Sequence, residues 1–339
     1  MSTAWIDQSG AHVRLRSEHL EVVPPEEDAG ASGRVSIPLN ELERLSLTEH
    51  VQITSQALAA LLRRGIPVHL LDGLGRELGS FLPPDRPDGS VRLRQYARSL
   101  DPVWSLVQAR AIVLAKVHNQ RRLLQKLRAN RPRPVDEAIA ALARAEAVAD
   151  RAETLDELRG AEGAASAAYF PGWAAFLPDN FPFDRRSTRP PRNAVNACLS
   201  FGYTLLYQEM VTALHTCGLD PALGCLHVAE PHRWSLALDL MEPFRPALVD
   251  ALTIRLFAHR LLHEEDFEPH EEGVYLSGSG RKICLGQWES RLEREFHSEH
   301  AGHRTTLRQQ LREAVAKWKR TVLSEESDGG HVCNPYRLN

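Results

Sequence analysis

Three short segments carry acids or an imidazole where the surrounding residues predict burial. Glu162 stands alone among small residues in the run G-A-E-G-A-A that begins at Gly160. His227 ends an apolar stretch that follows the turn at Asp220 and Pro221. Asp239 and Glu242 lie amid leucines in S-L-A-L-D-L-M-E-P-F-R-P, from Ser235 to Pro246. In a strand these two carboxylates would point to opposite faces, because their spacing is odd. In a helix capped by Ser235 and ended at Pro243, residues three apart share a face. Two carboxylates on an apolar turn are costly unless neutralised. A divalent cation would do that, and carboxylate oxygens with one imidazole suit Mg²⁺ or Mn²⁺ better than a structural zinc. Each piece also has a plainer reading: Glu162 as an ion-pair partner, His227 as a satisfied core histidine, and Asp239 with Glu242 paired to Arg233 and Arg245.

Other clusters carry less chemistry. His259 and His263 are four apart but lack the glutamate of an H-E-x-x-H motif. The run S-G-S-G-R-K from Ser277 lacks the phosphate-loop spacing and reads as a hairpin turn. Charge is unevenly spread. Between Val91 and Arg133 eleven bases, Arg110, Lys116, Arg121 and Arg122 among them, face the single acid Asp101, and a second cluster holds Arg185, Arg186, Arg189 and Arg192. Such clusters suit a phosphate-rich partner as well as a solvated helix face.

The elements that must position these groups fall into two regions. The chain has 339 residues, 43% of them apolar, and a net charge of −3. At roughly 150 residues per domain this length predicts two domains, and it excludes a disulfide-stapled miniprotein or a disordered tail. Residues 1–90 read as β-rich, with short strands at 4–6, 12–15, 20–23, 35–38, 51–54 and 68–71 and one helix at 54–64 capped by Ser55. An acidic loop at 26–33 separates two of the strands. The proline-rich stretch 83–89 marks the junction. Residues 91–325 read as helical, with a long amphipathic helix at 102–129, and 326–339 as a flexible tail. Glycine and alanine over 160–168 predict close backbone approach. Five cysteines without a C-x-x-C pair, an N-terminus without a signal-peptide pattern and no long apolar run predict a cytoplasmic protein without a membrane span. The expected class is α+β: a small N-terminal β-sheet or sandwich domain, then a larger all-α domain.

Longer strings then become familiar. N-F-P-F-D-R-R-S-T-R-P-P-R-N from Asn180, N-A-C-L-S-F-G-Y-T-L-L-Y from Asn196, G-L-D-P from Gly218 and the segment from Ser235 to Pro246 followed by Asp250 resemble the CRISPR-associated integrase of spacer acquisition, the Cas-one family. The similarity is continuous over about 162–262 and looser elsewhere; His232 stands where many relatives carry glycine. The resemblance implies a divalent metal, Mg²⁺ or Mn²⁺, held by Glu162, His227 and Glu242, with Asp239 as a supporting acid. It implies a homodimer built through the N-terminal half and a heterohexamer with the small Cas-two protein. Double-stranded DNA is the implied substrate: the 3′-hydroxyl of a captured fragment joins the leader-proximal repeat by transesterification, with endonuclease cleavage as the related hydrolysis. On that reading Arg110, Lys116, Arg121, Arg122, Arg185, Arg186, Arg189, Arg192 and Arg245 contact DNA. A nuclease without joining activity and a non-catalytic DNA scaffold are the competing expectations.

Overall fold

A computed structural model of the chain describes residues 2–25, 33–83, 89–188, 190–231, 233–271, 273–324 and 333–338. Most of the acidic loop at 26–33, as well as Arg189 and His232, lie outside these residues. The chain divides into two compact units, Met1–Arg86 and Pro87–Asn339.

The first unit holds two four-stranded sheets. In one, β1 (Ser2–Ile6) pairs in parallel with β5 (Leu42–Thr48), β5 in parallel with β7 (Val68–Leu71), and β7 antiparallel with β8 (Glu77–Phe81). In the other, β2 (His12–Arg16) lies between β3 (His19–Val23) and β6 (Gln52–Ile53), with β4 (Val35–Pro38) at the edge beyond β3. One apolar cluster draws on both sheets, including Val13, Leu20 and Val22 from the second and Leu45, Leu47 and Val68 from the first. The helix α1 (Ser55–Arg63) joins β6 to β7. Its cap is Thr54, whose hydroxyl accepts the N–H of Ala57 at 3.3 Å, and not the expected Ser55. Thr54 sits in extended backbone, where its side chain can reach the third residue on. After this helix Gly65 takes a φ of +75°, which ends it.

The second unit is helical, with two short hairpins: β9 (Phe267–His270) with β10 (Gly273–Leu276), and β11 (Phe296–Ser298) with β12 (His303–Thr305). Its longest helix, α3 (Pro102–Asn130), follows α2 (Gly89–Ser99) and starts where Asp101 accepts the N–H groups of Val103 and Trp104. Rather than lying on the surface with a wet basic face, the middle of α3 is enclosed. Gln108, Lys116, Asn119 and Gln120 are all buried, and α3 packs on α4 (Asp136–Arg151), α5 (Leu155–Ala174) and the turn Glu242–Phe244. Close approach on α5 falls at Gly172, where a Cβ would lie 2.8 Å from that of Ala138 on α4; Gly160 and Gly163 face open space.

Beyond α6 (Ala194–Thr216), the segment from Ser235 does not end at Pro243. It runs on as α7 (Ser235–Met241), a tight turn Glu242–Phe244, a widened turn Pro246–Asp250 and α8 (Ala251–Ala258). Pro243 and Pro246 lack the N–H groups a regular helix needs, so the winding tightens and then loosens around them. Ser235 does not cap α7; its hydroxyl donates to the carbonyl of Val228 at 2.8 Å. The run at Ser277 is no hairpin turn either: Ser277 accepts the N–H of Gly280 and opens α9 (Gly278–Glu293). The final helix is α10 (Leu307–Leu323).

The expected flexible tail is corrected at residues 333–338. Cys333 donates its N–H to Gln108, the Tyr336 ring stacks on Phe244 at 4.7 Å, and Asn119 donates to the carbonyls of both Pro243 and Tyr336. A buried Asn119 needs acceptors, and the returning chain supplies one of them. Among the described residues no helix is long and apolar enough to cross a membrane.

Candidate active site

Three elements of the helical unit bring two of the predicted acids together. Glu162 projects from α5 and Glu242 from the tight turn after α7. Both meet the ammonium of Lys116, which comes from the middle of α3. Lys116 Nζ is ion-paired with Glu162 Oε1 and lies 2.6 Å from Glu242 Oε2. Ser166, one turn along α5, donates to Glu162 Oε1 at 3.1 Å, and Arg245 approaches Glu242 Oε1 at 3.2 Å. Glu242 is 3% exposed. Burial alone would raise its pKa, but Arg245, Lys116 and His227 outweigh it and hold the carboxyl at about 2. Lys116 is likewise kept charged against the cost of burial by Glu242 and Glu162.

His227 is placed by Asp239. The Asp239 carboxylate is fully buried on α7. Its Oδ2 accepts the backbone N–H groups of Cys225 at 2.6 Å and Leu226 at 3.0 Å, and its Oδ1 accepts that of His227 at 3.0 Å. The imidazole Nδ1 lies 2.6 Å from the same Oδ1. A proton on Nδ1 shared with this carboxylate leaves the Nε2 lone pair as the free ligand position. Arg159 fixes the loop from outside by donating to the carbonyl of Leu226. Gly224 makes the approach possible, because a Cβ there would sit 2.7 Å from Asp239 Oδ2 and 2.9 Å from the carbonyl oxygen of His227. Gly224→Ala is therefore expected to push the loop off Asp239. Any activity that depends on His227 should fall by about ten-fold or more, with a lowered melting temperature that Gly79→Ala, on an open strand position of the other unit, does not share.

A third group of side chains went unread in the sequence. Asp250, 1% exposed, accepts the hydroxyls of Tyr203 at 2.6 Å and Tyr169 at 2.8 Å. The Tyr203 ring in turn carries two guanidiniums, Arg245 at 4.8 Å and Arg186 at 5.3 Å from its centroid. The signal was an acid in an otherwise apolar run, A-L-V-D-A-L-T-I. Burial is the largest influence on Asp250 and raises its pKa from 3.8 to about 6, against the pull of the two tyrosines, Arg245 and Lys116. The native state thus holds a proton that the unfolded chain releases. This contribution to stability is complete below about pH 3.8 and lost as pH rises through about 6. Urea unfolding of the wild type and Asp250→Asn from pH 4 to 7 should therefore show the wild type losing roughly 3 kcal/mol relative to the variant across that range.

Most of the bases expected on DNA are engaged within the chain. Arg110 donates to the carbonyl of Ala152, Arg121 pairs with Glu146 at 3.0 Å and Arg122 bonds Gln125 one turn on. Lys116 is 7% exposed and serves the two glutamates. Arg186 reaches Asn196, Ser200 and the carbonyl of Ser187, so it pins the loop before α6. Arg245 faces Glu242 and Tyr203. Of these bases Lys116 is buried, whereas Arg110, Arg121, Arg186 and Arg245 are partly exposed and already have partners within the chain. Arg185 and Arg192 are exposed; Arg189 lies outside the described residues. Arg233 pairs with Glu230 rather than with Asp239.

The expected ligand triad is only partly assembled. Among the described residues no three His, Cys, Asp or Glu side chains gather as a metal-binding group. The two glutamates converge on the Lys116 ammonium, while the imidazole is turned to Asp239. The donor set nevertheless fits an oxygen-preferring divalent ion: two carboxylates already share one cation, and an imidazole nitrogen is left free by a carboxylate on its other side.

The family model for the CRISPR associated protein Cas1 matches residues 4–290. A CRISPR-associated endonuclease Cas1 of Thermodesulfovibrio yellowstonii is 36% identical over 301 residues, 87% of this chain and 92% of the relative. The structure of a Cas1 protein from Thermotoga maritima superposes with a TM-score of 0.82 at 26% identity, covering 96% of this chain and 98% of that one. A chain of a Cas6-RT-Cas1–Cas2 complex superposes with a TM-score of 0.80 at 25% identity over 99% of this chain and 37% of its own length. The chain belongs to the Cas1 family.

Proposed function

We propose that this protein is a metal-dependent DNA integrase of CRISPR adaptation, with endonuclease cleavage as the hydrolytic form of the same chemistry. The observation that carries this reading is the meeting of Glu162 and Glu242 on one cation, with the charge of Glu242 also felt by His227, whose ring a buried carboxylate orients. Glu162, His227 and Glu242 would hold one Mg²⁺ or Mn²⁺ ion, whose chemistry when bound is Lewis-acid stabilisation of charge on a phosphodiester. Asp239 orients His227 through Nδ1, so that Nε2 is the position presented for that role. Arg245 lies beside the reacting centre, where its guanidinium can meet a phosphate oxygen. Exposed Arg185 and Arg192 suit the DNA backbone.

In the joining reaction the 3′-oxygen of a donor strand attacks phosphorus in the target, a new P–O bond forms, and the target's own 3′-oxygen leaves and takes up a proton. One phosphodiester replaces another, so no external energy source is needed. Water in place of the donor hydroxyl gives cleavage, and the endonuclease name of the relative favours that activity. The protein acts as a homodimer in the cytoplasm, with a Cas2 protein bridging dimers into a heterohexamer; a Cas2-containing complex among the similar structures supports that partner.

The test supplies the protein and Cas2 with a short duplex and a supercoiled plasmid bearing a repeat, in Mn²⁺. Covalent joining is expected with a free 3′-hydroxyl and none with a 3′-dideoxy end. Cleavage without joining would leave the nuclease alone standing. Unchanged DNA in both reactions would leave a scaffold.

A further inference from the structure

Lys116 holds a position that phosphoryl transfer does not by itself require. It lies in the enclosed middle of α3 and spans two carboxylates from separate elements. With Arg245 on the other oxygen of Glu242, two positive charges already balance the two acids. A divalent ion entering between Glu162 and Glu242 would raise the local charge to +2 and press directly on the ammonium. Like charges this close repel strongly where water is scarce, so the ammonium must withdraw as the ion enters. Lysine suits such a move: its charge is compact and sits on a flexible four-carbon stem. A withdrawn ammonium in a largely buried setting needs another anion. The anion that reaches this site in the proposed reaction is a phosphate of the bound nucleic acid.

We propose that Lys116 couples metal binding to nucleic-acid binding: its ammonium closes the Glu162–Glu242 pair in the metal-free protein, yields that pair to a divalent cation, and is received by a phosphate oxygen. The inference rests on the reading of Glu162 and Glu242 as metal ligands. It makes Lys116 a competitor of the metal in the free protein and a partner of the substrate in the complex. By linkage, the nucleic acid tightens metal binding by the same factor as the metal tightens nucleic-acid binding. It also assigns Lys116 a role other than sequence-independent contact along the DNA.

The experiment measures Mn²⁺ binding to the full chain by electron paramagnetic resonance of the free ion, with and without a duplex blocked at both 3′ ends. In the wild type the duplex should tighten Mn²⁺ by about ten-fold. Lys116→Met should bind Mn²⁺ about ten-fold more tightly than the wild type without DNA, and the duplex should then add less than about two-fold. Lys116→Arg keeps the charge and should keep most of the coupling. Thermal unfolding supplies a second reading: Lys116→Met leaves the two glutamates unbalanced, so it should melt lower in EDTA than the wild type and gain more on addition of Mn²⁺. Equal or weaker Mn²⁺ binding by Lys116→Met, or coupling that survives the loss of the charge, overturns the role of Lys116 and leaves the ligand assignment intact. Absence of Mn²⁺ binding by every variant, with DNA present, overturns the ligand assignment and this inference with it.

Discussion

Glu242→Gln is expected to lower both cleavage and strand joining by about three orders of magnitude or more, the scale on which charge-stabilising groups act in the transition state. The amide keeps the shape of the side chain but withdraws the negative charge that Lys116 and Arg245 face. Folding should suffer too. Breaking one partner of a buried ion pair costs about 3–5 kcal/mol, and the lower end applies here because Lys116 retains Glu162. The pH dependence separates this electrostatic effect from simple misfolding. Glu242 has a native pKa of about 2 against an ordinary 4.5, so its contribution is present above pH 4.5 and is lost as pH falls toward 2. The stability gap between wild type and variant, read from urea unfolding, should be full at pH 7 and should close progressively below pH 4.5. A gap that stays constant with pH would mean that packing, not charge, sets it.

Asp239→Asn is the second large effect. Asp239 is not among the expected metal ligands, yet its two oxygens accept three backbone N–H groups and face His227 Nδ1. An asparagine offers one acceptor oxygen and turns an NH₂ group toward donors. At least one buried N–H then loses its partner, at about 1–3 kcal/mol for each such group, and the imidazole loses the acceptor that sets its tautomer. Activity should fall by about 10–100-fold, the range for groups that orient a metal ligand. Nitrogen NMR of the imidazole gives the readout that a merely structural role would not move. In the wild type the proton should sit on Nδ1, and in the variant it should be shared between Nδ1 and Nε2. An unchanged tautomer with reduced activity would place the effect elsewhere.

The acids of the site were legible because each breaks a local pattern. Glu162 interrupts small residues, and Asp239 and Glu242 interrupt leucines. Their partners were not legible, because long-range packing chooses them. Lys116 reads as one of six bases on an amphipathic helix, and only the packing of α3 against α5 and the turn Glu242–Phe244 encloses it. Asp250 has the same history: its partners Tyr169 and Tyr203 come from α5 and α6.

In the fold, local punctuation carried what could be read. Asp101 and Pro102 mark the start of α3, and Pro132 and Pro134 follow its end at Asn130. The central strand β5, L-E-R-L-S-L-T, escaped notice because leucine, glutamate and arginine favour helices, while burial between β1 and β7 makes it a strand. Pro243 signalled a helix end, yet the chain absorbs both prolines by changing its winding, and that irregular stretch is where Glu242 and Asp250 sit. The return of residues 333–338 onto Asn119 and Phe244 had no periodicity to announce it.

The central claim is that Glu162, His227 and Glu242 share one divalent ion. A crystal of the protein with Mn²⁺ and a 3′-blocked duplex, with data collected at the manganese absorption edge, tests it most directly. One anomalous peak is expected, bounded by Glu162, Glu242 and His227 Nε2, with the Lys116 ammonium displaced from the glutamates toward a phosphate. A peak held by other residues, or Lys116 still seated between the two glutamates with no anomalous density beside them, would contradict it.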